Sequence, residues 1–374
     1  MTLSERDVGE QRTAVAEPAP VRRLVIVGAG LAGLTAAQAL AGTYEIVVLD
    51  KSRSVGGRMA TRRIGGATID HGAQFFTTHT AEFAQVVATW SAAGVAQPWF
   101  AGRVGPNGVV DADGHTRFRG VDSMNAIAKH LAQGLDVRRS TAVQSVARSG
   151  DGWLVTTTHH ALTADAVLLT APVPQSLELL AAGGVELADV DQRALQTIEY
   201  EPCLAVLALV DGPTRLPPPG AVNPADGPVD WVADNHRKGV SAEPAVTIHA
   251  TAAFSRQQWD ADDETVAAAL LAASQLGCAP LPGGTQVQRW RYARPITVHP
   301  ARCLAARELP LLLFAGDAFG GAKVEGAVLS GRAAAERLAD RSRTDALQPH
   351  ETSGGSAREQ SGRSRAPRDK KSPC

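Results

Sequence analysis

The fold is decided by residues 23–33, which read RLVIV followed by GAGLAG. The apolar run predicts a short buried strand, and the glycines fall directly after it. Gly28 permits a tight turn, Gly30 lets the backbone approach a phosphate, and Gly33 lets the next helix pack closely on the strand. This spacing predicts a dinucleotide-binding turn.

The residues after this turn complete a β-α-β unit. Residues 33–40 predict a helix, and residues 46–49 predict a second strand that leads into Asp50, whose carboxylate can accept hydrogen bonds from ribose hydroxyls. A structural glycine turn with a surface carboxylate is the alternative, but strand, helix and acid together favour a nucleotide site. The predicted contacts with the dinucleotide are Gly28, Ala29, Gly30, Leu31, Ala32, Gly33, Asp50 and Lys51.

Composition narrows the classes of partner. The 374 residues are 44% hydrophobic, and the formal net charge of -1 gives no general attraction for nucleic acid or acidic membranes. The four cysteines are far apart without a CxxC pair, so no disulfide framework and no metal site is predicted. Arg22 and the apolar run after it resemble a signal peptide, but the glycine spacing favours the nucleotide turn. The expectation is a cytoplasmic protein without a membrane span.

The hydrophobic pattern changes along the chain and predicts an α/β protein of two domains, in an α+β arrangement. The runs VQSVARSG, GWLVTTT and DAVLLTAP after Asp136 predict an antiparallel meander. Further predicted elements are strands over 204–209, 245–250 and 311–315, helices over 263–276 and 326–338, and a surface loop over 212–228. The predicted divisions are a disordered tail over 1–20, a discontinuous cofactor-binding domain over 21–75, 122–172 and 290–340, a β-rich substrate domain over 76–121 and 173–289, and a disordered tail over 341–374.

A second glycine-rich segment favours FAD over NAD as the dinucleotide. Residues 51–63 read KSRSVGGRMATRR, which places a double glycine between two arginines. Backbone amides and guanidinium groups there can bind a second phosphate and ribityl oxygens, which a nicotinamide domain does not need. Taken alone, the segment is also compatible with a basic loop. The predicted FAD contacts in it are Arg53, Gly57, Arg58 and Met59.

Residues 70–77, which read DHGAQFFT, are the third candidate segment. Small residues there would let the backbone pass close to a flat ring system, while an amide side chain hydrogen-bonds to it. His71 lies beside Asp70 and is interpreted as a structural hydrogen-bonding residue rather than a base. The predicted cofactor contacts are Gly72, Ala73, Gln74 and Phe75.

The fourth segment reads LLLFAGDAF over residues 311–319 and EGAVLSG over residues 325–331. Asp317 can bind the ribityl chain, and the positive end of the following helix would stabilise negative charge on the flavin ring. Mere packing of a strand, a turn and a helix would need neither the acid nor so many glycines. The predicted contacts are Gly316, Asp317, Glu325, Gly326 and Ala327.

Aromatic residues and one histidine are candidates for the substrate pocket, although an isolated aromatic residue usually belongs to a core. Trp259 is one further candidate of this kind. No hydrolase motif is present, and no catalytic acid or base is assigned, because a flavin carries the redox chemistry itself. The predicted pocket residues are Phe76, Trp231, His236, Trp290, Tyr292 and Phe319.

Together these motifs resemble the renalase family within the flavin amine oxidase superfamily. The resemblance covers nearly all of residues 23–338 and includes WVADNHRKG, and its more specific parts are GGRMATRR, HGAQFFT, APVP and WRYA. It implies noncovalent FAD in a Rossmann-like domain of the p-hydroxybenzoate hydroxylase type, with an inserted β-rich substrate domain. It also implies an FAD contact at Val143.

The implied activity is that of an oxidase for misplaced-hydride isomers of NAD(P)H. The 2- or 6-dihydro forms would give NAD(P)+, and dioxygen would be reduced to hydrogen peroxide. A flavin amine oxidase acting on a small amine and a flavin-binding protein without turnover are the alternatives. The motifs leave open the preferred isomer, NAD versus NADP, and the oligomeric state.

Overall fold

A computed structural model describes residues 22–346, with side chains described through residue 340. The helices are α1 (Leu31–Ala39), α2 (Ala81–Ala92), α3 (Ala126–Leu131), α4 (Val173–Ala182), α5 (Asp189–Gln196), α6 (Ala252–Gln257), α7 (Asp263–Ser274) and α8 (Lys323–Ala346). The strands are β1 (Arg23–Val27), β2 (Glu45–Leu49), β3 (Thr61–Ile64), β4 (Ala67–Asp70), β5 (Ala96–Val104), β6 (Val110–Gly120), β7 (Asp136–Arg138), β8 (Val143–Ser149), β9 (Gly152–Thr157), β10 (Ala161–Ala164), β11 (Ala166–Leu169), β12 (Tyr200–Val210), β13 (Ala221–Val222), β14 (Val229–Asp234), β15 (Ala245–Ala250), β16 (Pro280–Pro295), β17 (Leu304–Ala305) and β18 (Leu312–Phe314).

A six-stranded sheet with the order β17-β18-β11-β1-β2-β7 forms the centre of the nucleotide-binding half. All its pairs are parallel except that of β17 with β18. Successive side chains of a strand face opposite sides, so Leu24 and Ile26 join the core under α1 and α8, while Val25 and Val27 join the core under α4. Burial on both faces explains why β1 reads as a continuous apolar run.

The rest of the molecule is largely antiparallel. Strands β10-β9-β8 form a meander, β13-β14-β15-β12-β16 form a five-stranded sheet, and β3-β4 and β5-β6 form hairpins. The five-stranded sheet has its own core, in which Val266 and Leu270 of α7 pack with Leu204 and Val206 of β12. Because β16 is long, it extends from this core to the nucleotide-binding half.

The predicted α/β class and the β-α-β unit are confirmed. The prediction that the run DAVLLTAP belongs to the antiparallel meander is wrong. Its strand β11 lies between β1 and β18 in the parallel sheet, and β10 completes the meander instead. All four residues of β11 are buried, which is typical of a central parallel strand and not of an alternating one.

Several predicted boundaries also change. The stretch 212–228 is not simply a surface loop, because Leu216 is buried and Ala221 and Val222 form β13. Helix α8 continues to Ala346, so the predicted tail over 341–374 starts too early. The tails over 1–20 and 347–374 lie outside the described residues. The predicted domain change at residue 290 falls inside β16, and the division into domains stays a prediction. Within the described range, no helix is long and apolar enough to cross a membrane.

Candidate active site

A cavity of about 1750 Å³ lies between the central sheet and the five-stranded sheet. It begins where β1 and β2 end, at Gly28 and Asp50, and reaches Cys203, His249 and Trp290 on the antiparallel strands. Ligands of open α/β sheets bind at the carboxyl ends of the strands. Because ordinary ligand pockets measure about 300–1,000 Å³, this cavity has room for a dinucleotide and a second molecule.

The first glycine turn has the shape that a phosphate needs. Gly28 adopts a left-handed φ of 114°, and its amide donates to the Leu49 carbonyl at 2.8 Å. A Cβ on Gly33 would lie 2.1 Å from the Gly28 oxygen, whereas a Cβ on Gly30 would meet no protein atom within 4 Å. Gly33 is therefore required by packing, and Gly30 leaves open space beside the backbone.

Asp50 fixes the turn to the loop that follows β2. Its Oδ2 accepts a hydrogen bond from the Ala29 amide at 2.8 Å, and its Oδ1 accepts one from the Ser52 amide at 2.7 Å. Each carboxylate oxygen retains a lone pair, so the group can still accept from ribose hydroxyls. The carboxylate is thus preorganised at the cavity wall.

The double glycine Gly56-Gly57 packs against the glycine turn that follows β1, and Arg58 forms an ion pair with Asp317. Gly56 has a φ of 113°, and its amide donates to the Ala29 carbonyl at 2.8 Å. Arg58 Nη2 lies 2.6 Å from Asp317 Oδ1, and Nη1 donates to the Tyr292 carbonyl at 3.3 Å. The two motifs, 259 residues apart in the chain, therefore meet through one ion pair.

The segment after β4 is held by a buried ion pair. Lys238 Nζ lies 2.8 Å from Asp70 Oδ2, and both side chains are fully buried. Asp70 Oδ1 also accepts from the Thr61 hydroxyl at 2.6 Å and from the Met124 amide at 2.9 Å. This network fixes the chain immediately before His71, which lines the cavity.

His71 is fixed by its backbone and by stacking. Its carbonyl accepts from Trp290 Nε1 at 3.0 Å and from His249 Nε2 at 3.2 Å, and its ring stacks on Trp290 with centroids 5.4 Å apart. Burial, followed by the positive charge of Arg62 and by His249, lowers the pKa of His71 to about 3. Burial also lowers the pKa of His249 to about 4. Both rings are neutral at ordinary pH.

The first turn of α8 also lines the cavity and is tightly packed. A Cβ on Gly326 would lie 1.7 Å from the Gly321 oxygen, and the Gly316 amide donates to the Ser330 hydroxyl at 2.8 Å. The Glu325 carboxylate accepts from the amides of His79 and Thr80, each at 2.9 Å. Glu325 therefore binds the segment before α2 with its side chain, which leaves its backbone for the predicted cofactor contact.

Most predicted site residues line this one cavity. Those that do are Gly28, Gly30, Leu31, Ala32, Asp50, Lys51, Arg53, Gly57, Arg58, Met59, Gly72, Ala73, Phe75, Phe76, Val143, Trp290, Tyr292, Gly316, Asp317, Phe319, Glu325, Gly326 and Ala327. Ala29, Gly33 and Gln74 are not among the lining residues. Their roles as cofactor contacts remain predictions.

Three predicted pocket residues do not line this cavity, and their contact with a substrate stays a prediction. Trp231 packs on Phe75 with centroids 5.3 Å apart, outside the cavity lining. His236 is exposed in the turn after β14, and its Nδ1 lies 3.1 Å from the Ser241 carbonyl oxygen. Trp259 packs against the core of the five-stranded sheet instead.

Sequence reasoning missed several lining residues on the antiparallel strands. Cys203, Asp230 and His249 reach the cavity because β12, β15 and β14 follow β16 in that order across one sheet. Arg62 belongs to the KSRSVGGRMATRR segment but was not predicted to line the site. Its guanidinium is held by Gln286 and Gln288 of β16, whose amide oxygens accept hydrogen bonds from it at 3.0 and 2.7 Å. Sheet register brings these residues together, and no local sequence pattern predicts that register.

Positive charge predominates in the cavity lining. Ten Lys or Arg residues and six Asp or Glu residues line it in the part of the chain that the structure describes. Four of the ten cations pair with carboxylates, namely Arg58, Arg289, Arg294 and Arg302. The other six, which form no ion pair with a described carboxylate, are Lys51, Arg53, Arg62, Arg63, Arg291 and Lys323. Such a cavity attracts anionic ligands.

Comparisons with known proteins agree with this geometry. Residues 99–339 match the model of the family "Flavin containing amine oxidoreductase", and residues 26–90 match that of an NAD(P)-binding Rossmann-like domain. The chain therefore belongs to the flavin-containing amine oxidoreductase family, whose members are flavin-dependent oxidoreductases that act on small molecules. The family description itself implies a flavin cofactor.

Among individual proteins, renalase of Mus musculus is 23% identical over 332 residues, which covers 82% of this chain and 96% of that protein. Hydroxyneurosporene desaturase of Rubrivivax gelatinosus is 42% identical over 64 residues, only 12% of its length. A structure assigned as a protoporphyrinogen oxidase of Exiguobacterium sp. 255-15 superposes with a TM-score of 0.65 at 16% identity, over 86% of this chain and 99% of that one. Putrescine oxidase bound to putrescine gives 0.62 at 16% identity, over 86% and 100%. At such identities the structures show the shared fold alone.

Proposed function

We propose that this protein is a renalase-type oxidase that binds FAD noncovalently and converts 2- or 6-dihydro isomers of NAD(P)H to NAD(P)+. The observation that carries the proposal is the excess of unpaired cations in the cavity. Both the cofactor and this substrate are anionic dinucleotides, which such a surface attracts, whereas the substrate of an amine oxidase is a cation at neutral pH.

The residues present fit FAD. Open space at Gly30 and the carboxylate of Asp50 suit a pyrophosphate and a ribose, and Asp317 at the same cavity can accept hydrogen bonds from ribityl hydroxyls. Cys203 is the described cysteine that lines the cavity, and burial raises its pKa to about 12. Its thiol therefore stays protonated, which disfavours a covalent link to the flavin through this cysteine.

The chain itself would contribute positioning. The bound flavin supplies a two-electron acceptor for the substrate hydride and a donor to dioxygen, which leaves as hydrogen peroxide. A dihydronicotinamide needs no base before it gives up its hydride, because aromatisation drives the step. His71 and His249 are neutral but too weakly basic to abstract a proton. These groups orient a ring and do not drive acid-base catalysis.

One observation favours the second candidate, an oxidase of a small amine. Asp230 lines the cavity and forms no ion pair with a described cation, so its carboxylate could bind an ammonium group. Asp230 is exposed, however, and the unpaired cations of the same cavity outnumber it. The charge distribution therefore ranks the dinucleotide first.

An anaerobic stopped-flow experiment tests the proposal. The purified yellow protein is mixed with 2- or 6-dihydroNAD, with ordinary 4-dihydroNADH as the matched control, and with putrescine as the amine. We expect rapid bleaching of the flavin band with at least one misplaced-hydride isomer, slow bleaching with 4-dihydroNADH, and recovery with peroxide release when air is admitted. Bleaching by the amine alone would support the second candidate, and no bleaching by any of them would indicate a flavin-binding protein without turnover.

A further inference from the structure

The imidazole of His71 carries a buried nitrogen in the cavity lining that no described residue hydrogen-bonds. The residue is 5% exposed, lines the cavity, and its Nδ1 is buried without a hydrogen bond to any described residue. Buried polar atoms in folded proteins nearly always have a partner, so an unpaired one indicates a group that a ligand supplies.

The ring of His71 cannot easily turn away to find another partner. Its stack on Trp290 has an interplanar angle of 20°. Two donors, Trp290 and His249, hold its carbonyl, and a Cβ on Gly72 would lie 2.0 Å from the Arg58 oxygen, so the next residue is fixed as well. The imidazole is therefore held in one orientation before any ligand arrives.

The neighbours of His71 define the chemistry of that ligand. Asp70 is neutralised by Lys238, and Arg62 is a cation whose partners are two uncharged amide oxygens. No described carboxylate forms an ion pair with Arg62. A neutral imidazole offers one donor and one acceptor, which matches a carboxamide, and the guanidinium beside it repels an ammonium.

We propose that His71 is a specificity-determining residue that hydrogen-bonds the carboxamide of the substrate's nicotinamide ring. This inference rests on the proposed function and adds to it the residue that recognises the ring. Trp290 fixes the plane of the imidazole.

Equilibrium binding tests the assignment without turnover. NAD+ is titrated calorimetrically into the FAD-loaded protein and into H71F, which keeps a ring on Trp290 but has no donor or acceptor. We expect H71F to bind NAD+ about tenfold more weakly, with H71Q recovering part of the affinity. His160 lies in an exposed turn outside the cavity lining, so H160F is the matched control and should bind as the wild type does.

A ligand change provides the same test without a variant. The acetylpyridine analogue of NAD+ lacks the amide donors, and the wild type should bind it more weakly than NAD+. H71F should bind the two alike. In turnover with the reactive isomer, H71F should raise KM more than it lowers kcat.

Three outcomes would overturn the inference. The first is NAD+ affinity in H71F equal to that of the wild type, and the second is equal affinity of the wild type for NAD+ and the analogue. The third is loss of flavin or a shifted flavin potential in H71F with unchanged NAD+ affinity, which would assign His71 to the cofactor. If the wild type is reduced by the isomers in each case, the proposed function survives, whereas wild-type reduction by amines alone removes both.

Discussion

Removing the buried cation Lys238 should destabilise the protein through the carboxylate that it leaves behind. In K238M the new side chain fills much the same volume, but Asp70 keeps its charge inside the protein without an ionic partner. Breaking a buried pair in this way costs about 3–5 kcal/mol. Asp70 still accepts from Thr61 and Met124, so we expect about 3 kcal/mol, near the lower end of that range.

The same estimate predicts a melting temperature. Unfolding entropy is about 2.1 cal/mol/K per residue, so the described part of the chain should lose about 4 °C of Tm for that free energy. The loss is measured by thermal unfolding with added FAD at one fixed concentration, since bound ligand itself raises Tm. D70N combined with K238M removes both charges while keeping an oxygen for Thr61 and Met124. We therefore expect the double variant to melt higher than K238M.

An exposed ion pair provides the matched control. Arg138 and Asp136 lie 2.8 Å apart but are 38% and 48% exposed, so R138M should cost less than about 1 kcal/mol. The reasoning is refuted if K238M melts within about 1 °C of the wild type, or if the double variant melts no higher than K238M.

Three further results are expected. G33A should lower both Tm and flavin content, because its Cβ would lie 2.1 Å from the Gly28 oxygen. G30A places its Cβ in open space and should lower flavin content alone. Equal losses of Tm in the two variants would contradict this distinction. D50A should lower flavin occupancy because it frees the Ala29 amide, and a variant that stays fully yellow would remove Asp50 from the cofactor site. The His249 pKa is lowered to about 4, so between about pH 4 and 6.5 the unfolded state binds more protons and stability falls as pH falls. H249F should flatten that acid limb in a pH series of Tm values, and an unchanged limb would refute it.

The sequence was sufficient for the features that depend on neighbours in the chain. The glycine turn, β1 and Asp50 are predicted because strand, turn and helix propensities all act over a few residues. The run around β11 was misread because a buried parallel strand and a meander strand share the same short apolar composition. Only pairing with β1 and β18 separates the two.

The part of the cavity lining that lies on the antiparallel strands depends on sheet register and could not be predicted from the sequence. His249 lies opposite Ala205, and Trp290 lies opposite Cys203, so three distant strands must be aligned before these side chains meet. Trp231 lies outside the cavity lining for the same reason. A register shift between Val229 and Trp231 changes the alternation of β14, and nothing in the local sequence indicates it.

Strand β16 connects the two halves of the cavity. Trp290 donates from its side chain to the His71 carbonyl, and two residues later the Tyr292 carbonyl accepts from Arg58, which also binds Asp317. One strand thus contacts both the segment at His71 and the ion pair between Arg58 and Asp317. Hydride transfer requires reacting atoms about 3–3.5 Å apart, and a rigid strand that holds both walls can maintain such a separation. Because neither His71 nor His249 is basic enough to assist, the rate of reduction should depend on this spacing.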